Sequence, residues 1–276
     1  MPQKAHFISG LPRSGSTLLA ALLRQNPRFH AAMTSPVGGL VERMLEAMSE
    51  DNEFSVFISS EQKRALIMSI FSAYYHPQAE KEVIFDTNHR LWCSKLPLIL
   101  ELFPEAKVIC CVRNIAWIMD SIELLIRRNA FDISRLFNNS AERATVYSRT
   151  EALSQGSRLV GYAYNALKEA FYSEQSASLL LVDYDLLTKG PDKTMSLIYQ
   201  FLGEEPFNHD FNNVQYQEPE FDNRLKTKGL PQVRLQVDFK PRKTVLPPDL
   251  FERFDGLFFW TEATNSRAST IIAKVK

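Results

Sequence analysis

Apolar residues along this chain come in short unbroken runs, each followed by a stretch with helical character. AHFIS (residues 5–9) is the first run, and Gly10–Gly15 turns the chain after it. Thr17–Gln25 then holds only helix formers until Asn26-Pro27 stops it. KEVIFDTN (81–88) repeats the pattern, its apolar run ending at Asp86, ahead of a helix in LPLILELFP (96–104) that Pro104 ends. AKVICCVRN (106–114) leads into an amphipathic helix at Ile115–Arg128, and SASLLLVDYD (176–185) into a helix at Pro191–Leu202 closed by Gly203. Strands that are apolar without alternation, separated by helices, belong to a parallel sheet covered on both faces. The predicted fold class is α/β, three layers α/β/α around a central parallel sheet.

The rest of the pattern adds little to that frame. Residues 140–173 are helical by composition, and the apolar stretches FSVF and SIFSAYY within 54–75 read first as core, second as the wall of an acceptor cleft. Residues 204–248 are polar and proline-marked, a long excursion over the surface or a ligand. There is no internal repeat, low-complexity segment or linker, so residues 1–276 are expected to form one domain. Nothing in the pattern points to an oligomeric state.

Charge narrows the partners. Lys+Arg and Asp+Glu number 32 each, which leaves no overall basic field for nucleic acid or an anionic membrane. An anion site must therefore be a local arrangement. No apolar run approaches the roughly 20 residues that span a bilayer, and MPQKAHFISG is too short for a signal-peptide core. Cys93, Cys110 and Cys111 have no metal-ligand spacing, and the adjacent pair points to opposite faces of a strand. They read as reduced thiols in a cytoplasmic protein, and no metal site is expected.

The chemistry begins at GLPRSGSTL (10–18). Gly10, Gly15 and Thr17 keep the spacing of a Walker phosphate loop, G-x-x-x-x-G-K-[ST], but Ser16 stands where the lysine belongs. The nearest cation is Arg13. A strand, a glycine turn and a helix start aim several N–H groups at one point. Ser14, Ser16 and Thr17 add hydroxyls, and Arg13 adds a forked donor suited to phosphate. A kinase using magnesium and ATP would need a carboxylate at a strand end, for which Asp86 and Asp183 qualify by position.

PRSGSTLL resembles the 5′-phosphosulfate loop of sulfotransferases that use 3′-phosphoadenosine-5′-phosphosulfate (PAPS), closest to the tyrosylprotein type and its bacterial homologues. The resemblance implies that Gly10, Pro12, Arg13, Ser14, Gly15, Ser16, Thr17 and Leu18 bind the donor's 5′-phosphosulfate without metal, Arg13 taking part in catalysis. It implies a second anchor as well. Arg113, at a strand end, and Ser121, eight residues later, match the pair that clamps the 3′-phosphate. Tyr184 in LLLVDYD is similar to the family's adenine contact, and Lys228 and Arg234 in KTKGLPQVR to its late basic loop, although Thr227 replaces an arginine.

The base that deprotonates an acceptor hydroxyl is less well marked. His89 in IFDTNHRL lies near the family's catalytic histidine but one register off, with Arg90 or Lys95 as replacements for the lysine that acts on the bridge. The tyrosylprotein enzymes use a glutamate after the first helix, where AAMTSPVGG (31–39) offers none; Glu42 is the nearest, and His30 reads as surface. The expected reaction is sulfuryl transfer from PAPS to the hydroxyl or phenol of a small molecule or peptide, releasing the 3′,5′-bisphosphate (PAP). The alternatives are a small-molecule kinase and a non-catalytic nucleotide-binding protein.

Overall fold

The structure, a computed structural model, describes residues 4–131, 133–215, 235–261 and 265–273. Among the described residues the sheet has six strands, β1 (Lys4–Gly10), β2 (Phe29–Ala31), β3 (Val83–Thr87), β4 (Val108–Val112), β5 (Leu179–Asp183) and β6 (Ser269–Ile271). They lie in the order β2-β3-β1-β4-β5-β6, and all pairings are parallel.

Unbroken apolar runs are required because both faces are covered. Phe7, Ile84, Val108, Cys110 and Leu181 enter one core, whose helices include α4 (Leu91–Ser94), α5 (Leu96–Leu102), α6 (Ile115–Arg128) and α9 (Leu159–Tyr172). Ile8, Phe85, Ile109, Cys111 and Val182 enter the opposite core, beneath α1 (Ser16–Leu23) and α11 (Pro191–Leu202). The three-layer α/β/α expectation holds, and Cys110 and Cys111 face opposite layers as alternation along a strand demands.

The sequence pattern places the four long strands correctly and misses the two short ones at the sheet edges. Three residues give too brief a run to register, and β2 is fixed by pairing with β3 rather than by its own pattern. His30 therefore sits half-buried in a strand, its ring 5.6 Å from Tyr75, and is not the surface residue expected. The expected strand 176–185 also shortens. Residues 174–178 form a 3₁₀ turn, and Asp183 caps α10 (Tyr184–Lys189) by accepting from the amides of Asp185 and Leu186 at 2.8 and 3.2 Å. Tyr184 thereby leaves the sheet.

Residues 140–173 divide into α7 (Ser140–Ala144), α8 (Val146–Ser154) and α9. The core expected in 54–75 is only half present. Ile67, Phe71 and Tyr75 are buried, on or just after α3 (Ser60–Tyr74), whereas Phe54, Val56 and Phe57 are exposed. Residues 235–246 hold no regular element and lead into α12 (Pro248–Asp255).

Candidate functional site

The sheet order sends the chain from β1 to one side for β2 and β3, then across to β4. In parallel sheets ligands settle outside the carboxyl ends of the strands where the order reverses, here between β1 and β4. The 10–18 loop leaves β1 and Arg113 leaves β4 at that place.

Gly10 and Gly15 are required by geometry. Gly10 has φ +106°, and a Cβ there would lie 2.3 Å from the Cys111 carbonyl oxygen. Gly15 has φ +98°, and its Cβ would lie 2.9 Å from the Tyr184 ring. Between them the loop is tied to β4, since the Leu11 amide and the buried Ser14 hydroxyl both donate to the Cys111 carbonyl, each at 2.8 Å. Ser14 is thus a structural tie for the loop. Ser16, Thr17 and Leu18 form the first turn of α1 and are half-buried; the amides of a first helical turn lack intrahelical acceptors. Pro12 is buried beneath the loop.

Arg13 adopts φ +59°, the left-handed region that a side chain ordinarily avoids. This backbone brings its Nε to the Ser121 hydroxyl, 3.1 Å away on α6. Arg113 donates from Nη1 to the Arg13 carbonyl oxygen at 3.4 Å, and its guanidinium stacks 4.3 Å from the centre of the Tyr184 ring. Four residues from three separate stretches of sequence, Arg13, Arg113 with Ser121, and Tyr184, are therefore joined by direct contacts.

Electrostatics there favour an anion. Burial, followed by the charge of Arg113, holds the Arg13 guanidinium below its ordinary pKa. Burial also lowers Arg113, against the opposing effect of Tyr184. The Arg113 Nε is buried with no hydrogen-bond partner. Two adjacent guanidinium groups, one with an orphaned donor, suit a dianionic oxygen cluster such as a phosphate. PAPS and PAP present such groups, so the residues fit the donor expected from the sequence.

A third cation went unpredicted. Arg242, with Arg242 Cζ 5.1 Å from the Trp117 ring centre, pairs with the fully buried carboxylate of Asp120 and acts electrostatically on both Arg13 and Arg113. No motif surrounds it; PRKTV reads as ordinary surface charge. Lys228 and Arg234, expected in that role, lie outside the described residues.

On the β3 side the polar groups differ. The Asn88 amide donates to the Ile8 carbonyl at 3.0 Å, and Ser9 Oγ donates to the Asn88 carbonyl at 3.1 Å, which sets His89 beside the end of β1. His89 is half-buried, and burial, with Arg90 next, pushes its pKa down to about 4. The ring is neutral at pH 7 and keeps a lone pair. Arg90 is exposed, its guanidinium 5.9 Å from the Tyr162 ring centre, and Lys95 is half-buried between α4 and α5. Glu42 lies exposed on α2 (Val37–Ala47), one turn beyond Gly38, which packs against Asn88.

Neither strand-end carboxylate is shaped as a magnesium ligand. Asp86 is fully buried and accepts from Ser35 Oγ (2.9 and 2.7 Å), Tyr75 OH (2.6 Å) and Trp92 Nε1 (2.8 Å). Burial raises its pKa. Asp183 is occupied in capping α10. Both positions resemble a metal-binding strand end in sequence and serve structure here.

The family model described as Sulfotransferase family matches residues 6–209. Among solved structures the chain is similar to the sulfotransferase domain of the Synechococcus PCC 7002 olefin synthase, at 19% identity and TM-score 0.51, covering 95% of this chain and 91% of that one. It is also similar to a sulfotransferase domain from the curacin biosynthetic pathway, at 16% identity and TM-score 0.51, covering 96% and 94%. At these identities the structural likeness is one of fold. No curated protein matches the sequence.

Proposed function

Since the chain belongs to the sulfotransferase family, we propose that it transfers a sulfuryl group from PAPS to an acceptor hydroxyl or phenol and releases PAP. The observation that carries this reading is the meeting of Arg13, Arg113 and Ser121, with the Arg113 Nε buried and left without a partner. One anchor alone would serve many nucleotides. Two anchors, in the order and spacing noted in the sequence, suit a donor phosphorylated at both ends.

The roles follow from that arrangement. The loop from Gly10 to Leu18 and Arg13 hold the 5′-phosphosulfate, with Thr17 and the first amides of α1 as neutral donors. Negative charge grows on the leaving 5′-phosphate during transfer, and a preorganised donor aimed at such charge is worth roughly 3–4 kcal/mol. Arg113 and Ser121 take the 3′-phosphate. Tyr184, expected at the adenine, is given the role of steering Arg113, whose guanidinium already covers its ring. His89 accepts the acceptor's proton, because burial keeps it neutral; Glu42, exposed on α2, is the weaker candidate. The reaction is assigned to a single domain with a small-molecule or peptide acceptor. A reducing, cytoplasmic setting suits the free Cys93 and Cys110 thiols, whose Sγ atoms lie 3.6 Å apart. No described helix is long and apolar enough to cross a membrane.

The kinase reading loses support because Asp86 and Asp183 are both committed to structural bonds. Calorimetry with PAP in the absence of magnesium tests the proposal. Binding is expected to be tight and to weaken about a hundredfold in Arg113→Ala, some 2.7 kcal/mol. Tighter binding of ATP with magnesium than of PAP overturns it. PAP binding without sulfate transfer to any acceptor of a labelled-donor panel would favour the non-catalytic alternative.

A further inference from the structure

Beside the crevice lies a buried pair of thiols that sulfuryl transfer does not use. Cys93 of α4 and Cys110 of β4 are both free, with their Sγ atoms 3.6 Å apart. Cys110 has no solvent exposure, and Cys93 keeps 4%. Cys111, the next residue, faces the opposite core, and burial pushes its thiol up to about 12. Of the two adjacent cysteines, Cys110 is the one that meets Cys93.

The pair sits where three elements are tied together. Ser9 of β1 lies opposite Cys110 in the sheet register. Its hydroxyl accepts from the Cys93 amide at 3.3 Å and donates to the Asn88 carbonyl at 3.1 Å. Asn88 precedes His89, and its side-chain oxygen accepts from the Leu91 amide at 3.1 Å, at the start of α4. On β4, the residue after Cys110 lends its carbonyl to the Leu11 amide and the Ser14 hydroxyl, which hold the 10–18 loop. The two sulfurs thus lie within one or two hydrogen bonds of both the loop and the His89 segment.

The thiols are also unequal. The contact with Cys110 holds the Cys93 thiol below its ordinary pKa against burial, with smaller help from Ser9 and the Gly10 backbone. The same contact, together with burial, raises Cys110. Because the thiolate is the nucleophile, Cys93 is the attacking sulfur and Cys110 the resolving one.

We propose that Cys93 and Cys110 are a redox-modification site, oxidised to a disulfide by a hydroperoxide, and that the disulfide is a reversible low-affinity state of the adjacent crevice. The Cys93 thiolate attacks a peroxide oxygen, forming an S–O bond as the O–O bond breaks. The departing oxygen takes the proton that Cys93 released and leaves as water or an alcohol. The Cys110 sulfur then displaces hydroxide from the Cys93 sulfenic acid, and its own proton completes a water. Two thiols give up two electrons and two protons, and the peroxide accepts them. Closing the pair from 3.6 Å to the roughly 2.0 Å of an S–S bond draws α4 and β4 together and alters the geometry that Ser9 bridges.

The experiment treats the full chain with hydrogen peroxide, then alkylates it in denaturant for peptide mapping, with parallel calorimetry using PAP. A Cys93–Cys110 linked peptide is expected, two hydrogens lighter than the reduced pair, while Cys111 still alkylates. PAP binding should weaken about tenfold, the scale of one charged hydrogen bond, and recover with dithiothreitol. Cys111→Ala should link the same pair. Cys93→Ala should form no link and keep its PAP affinity within twofold through the treatment; if it does not fold, Cys93→Ser serves the same purpose. Three thiols still open to alkylation, or oxygen acids on Cys93 in place of the linked peptide, overturn the site. A linked pair with unchanged PAP affinity overturns the low-affinity state. The thiol chemistry stands apart from the PAPS reading, and only the PAP readout rests on it. Reduced protein that binds no PAP defeats that reading alone; amide exchange over residues 88–95, expected to rise on oxidation, then decides the coupling, and no rise overturns it.

Discussion

The two halves of the crevice treat buried charge in opposite ways. On the β1–β4 side Arg13, Arg113 and Arg242 gather, and one guanidinium nitrogen is left without a partner. On the β3 side a single carboxylate, Asp86, is enclosed by the hydroxyls of Ser35 and Tyr75 and the Trp92 indole, with no donor position left open. The first half leaves a buried donor open. The second is complete already. Charge in a crevice thus marks a ligand site where its partners are missing, and a structural node where they are satisfied.

This contrast can be broken from either side. The largest expected effect is on the β3 side: Asp86→Ala strands the Tyr75, Ser35 and Trp92 donors in a dry site. Urea unfolding should show a loss of about 3–5 kcal/mol, a large share of a typical domain's stability. Asp86→Asn, which keeps an acceptor, should lose less; equal losses would mean that the donors are not what Asp86 serves. His89, on the same side, is expected to affect turnover alone. His89→Ala should lower kcat about a hundredfold while PAP affinity stays within twofold. The acid limb of kcat/KM should lie near pH 4 instead of the usual histidine value, because burial holds the ring neutral down to that pH.

The β1–β4 half should respond the other way, in affinity and not in stability. Arg13→Gly removes a donor cation, and a loss of about thirtyfold in PAP affinity is expected from a charged phosphate contact. Glycine takes φ +59° freely, so stability should stay within about 1 kcal/mol of the parent. A stability loss far beyond that would make Arg13 part of the scaffold.

The smallest effect lies away from both halves, at His6. Its Nδ1 accepts from the Lys107 amide at 3.1 Å, and burial lowers its pKa to about 4. The folded state holds this ring neutral while the unfolded chain titrates near 6.5, so the unfolded state binds more protons between those values. Stability from His6 is therefore present above pH 6.5 and is lost as pH falls toward 4. His6→Gln should flatten that part of the stability-against-pH curve, and an unchanged slope would assign the acid sensitivity elsewhere.

The proposed anion site was legible to different depths for identifiable reasons. Gly10, Arg13 and Gly15 were visible because a turn against β4 requires glycines at fixed spacing, and the cation lies within the same few residues. Arg113 and Ser121 were readable as a pair because the end of β4 and the helix that follows it fix their separation. Arg242 was not, since its place depends on a contact with Asp120 across more than a hundred residues, and Asp120 looked like one polar residue on an amphipathic helix. Asp86 misled for the same reason. A carboxylate after an apolar run has one appearance in sequence whether it faces a metal or three buried donors.

The sequence by itself determined the parallel α/β sandwich, through apolar runs too uniform for a one-sided sheet, and the glycine turn after β1, through short-range steric demands. Both are local: a strand's two buried faces and a turn's positive φ are written in adjacent residues. Only the tertiary structure decided which charges meet. It seated Arg113 on Tyr184, brought Arg13 to Ser121, closed Asp86 with neutral donors and delivered Arg242 through Asp120. Those pairings depend on sheet order and on the course of residues 239–246. Coulombic and hydrogen-bond energies follow distance in space, which the spacing of residues along a chain does not record.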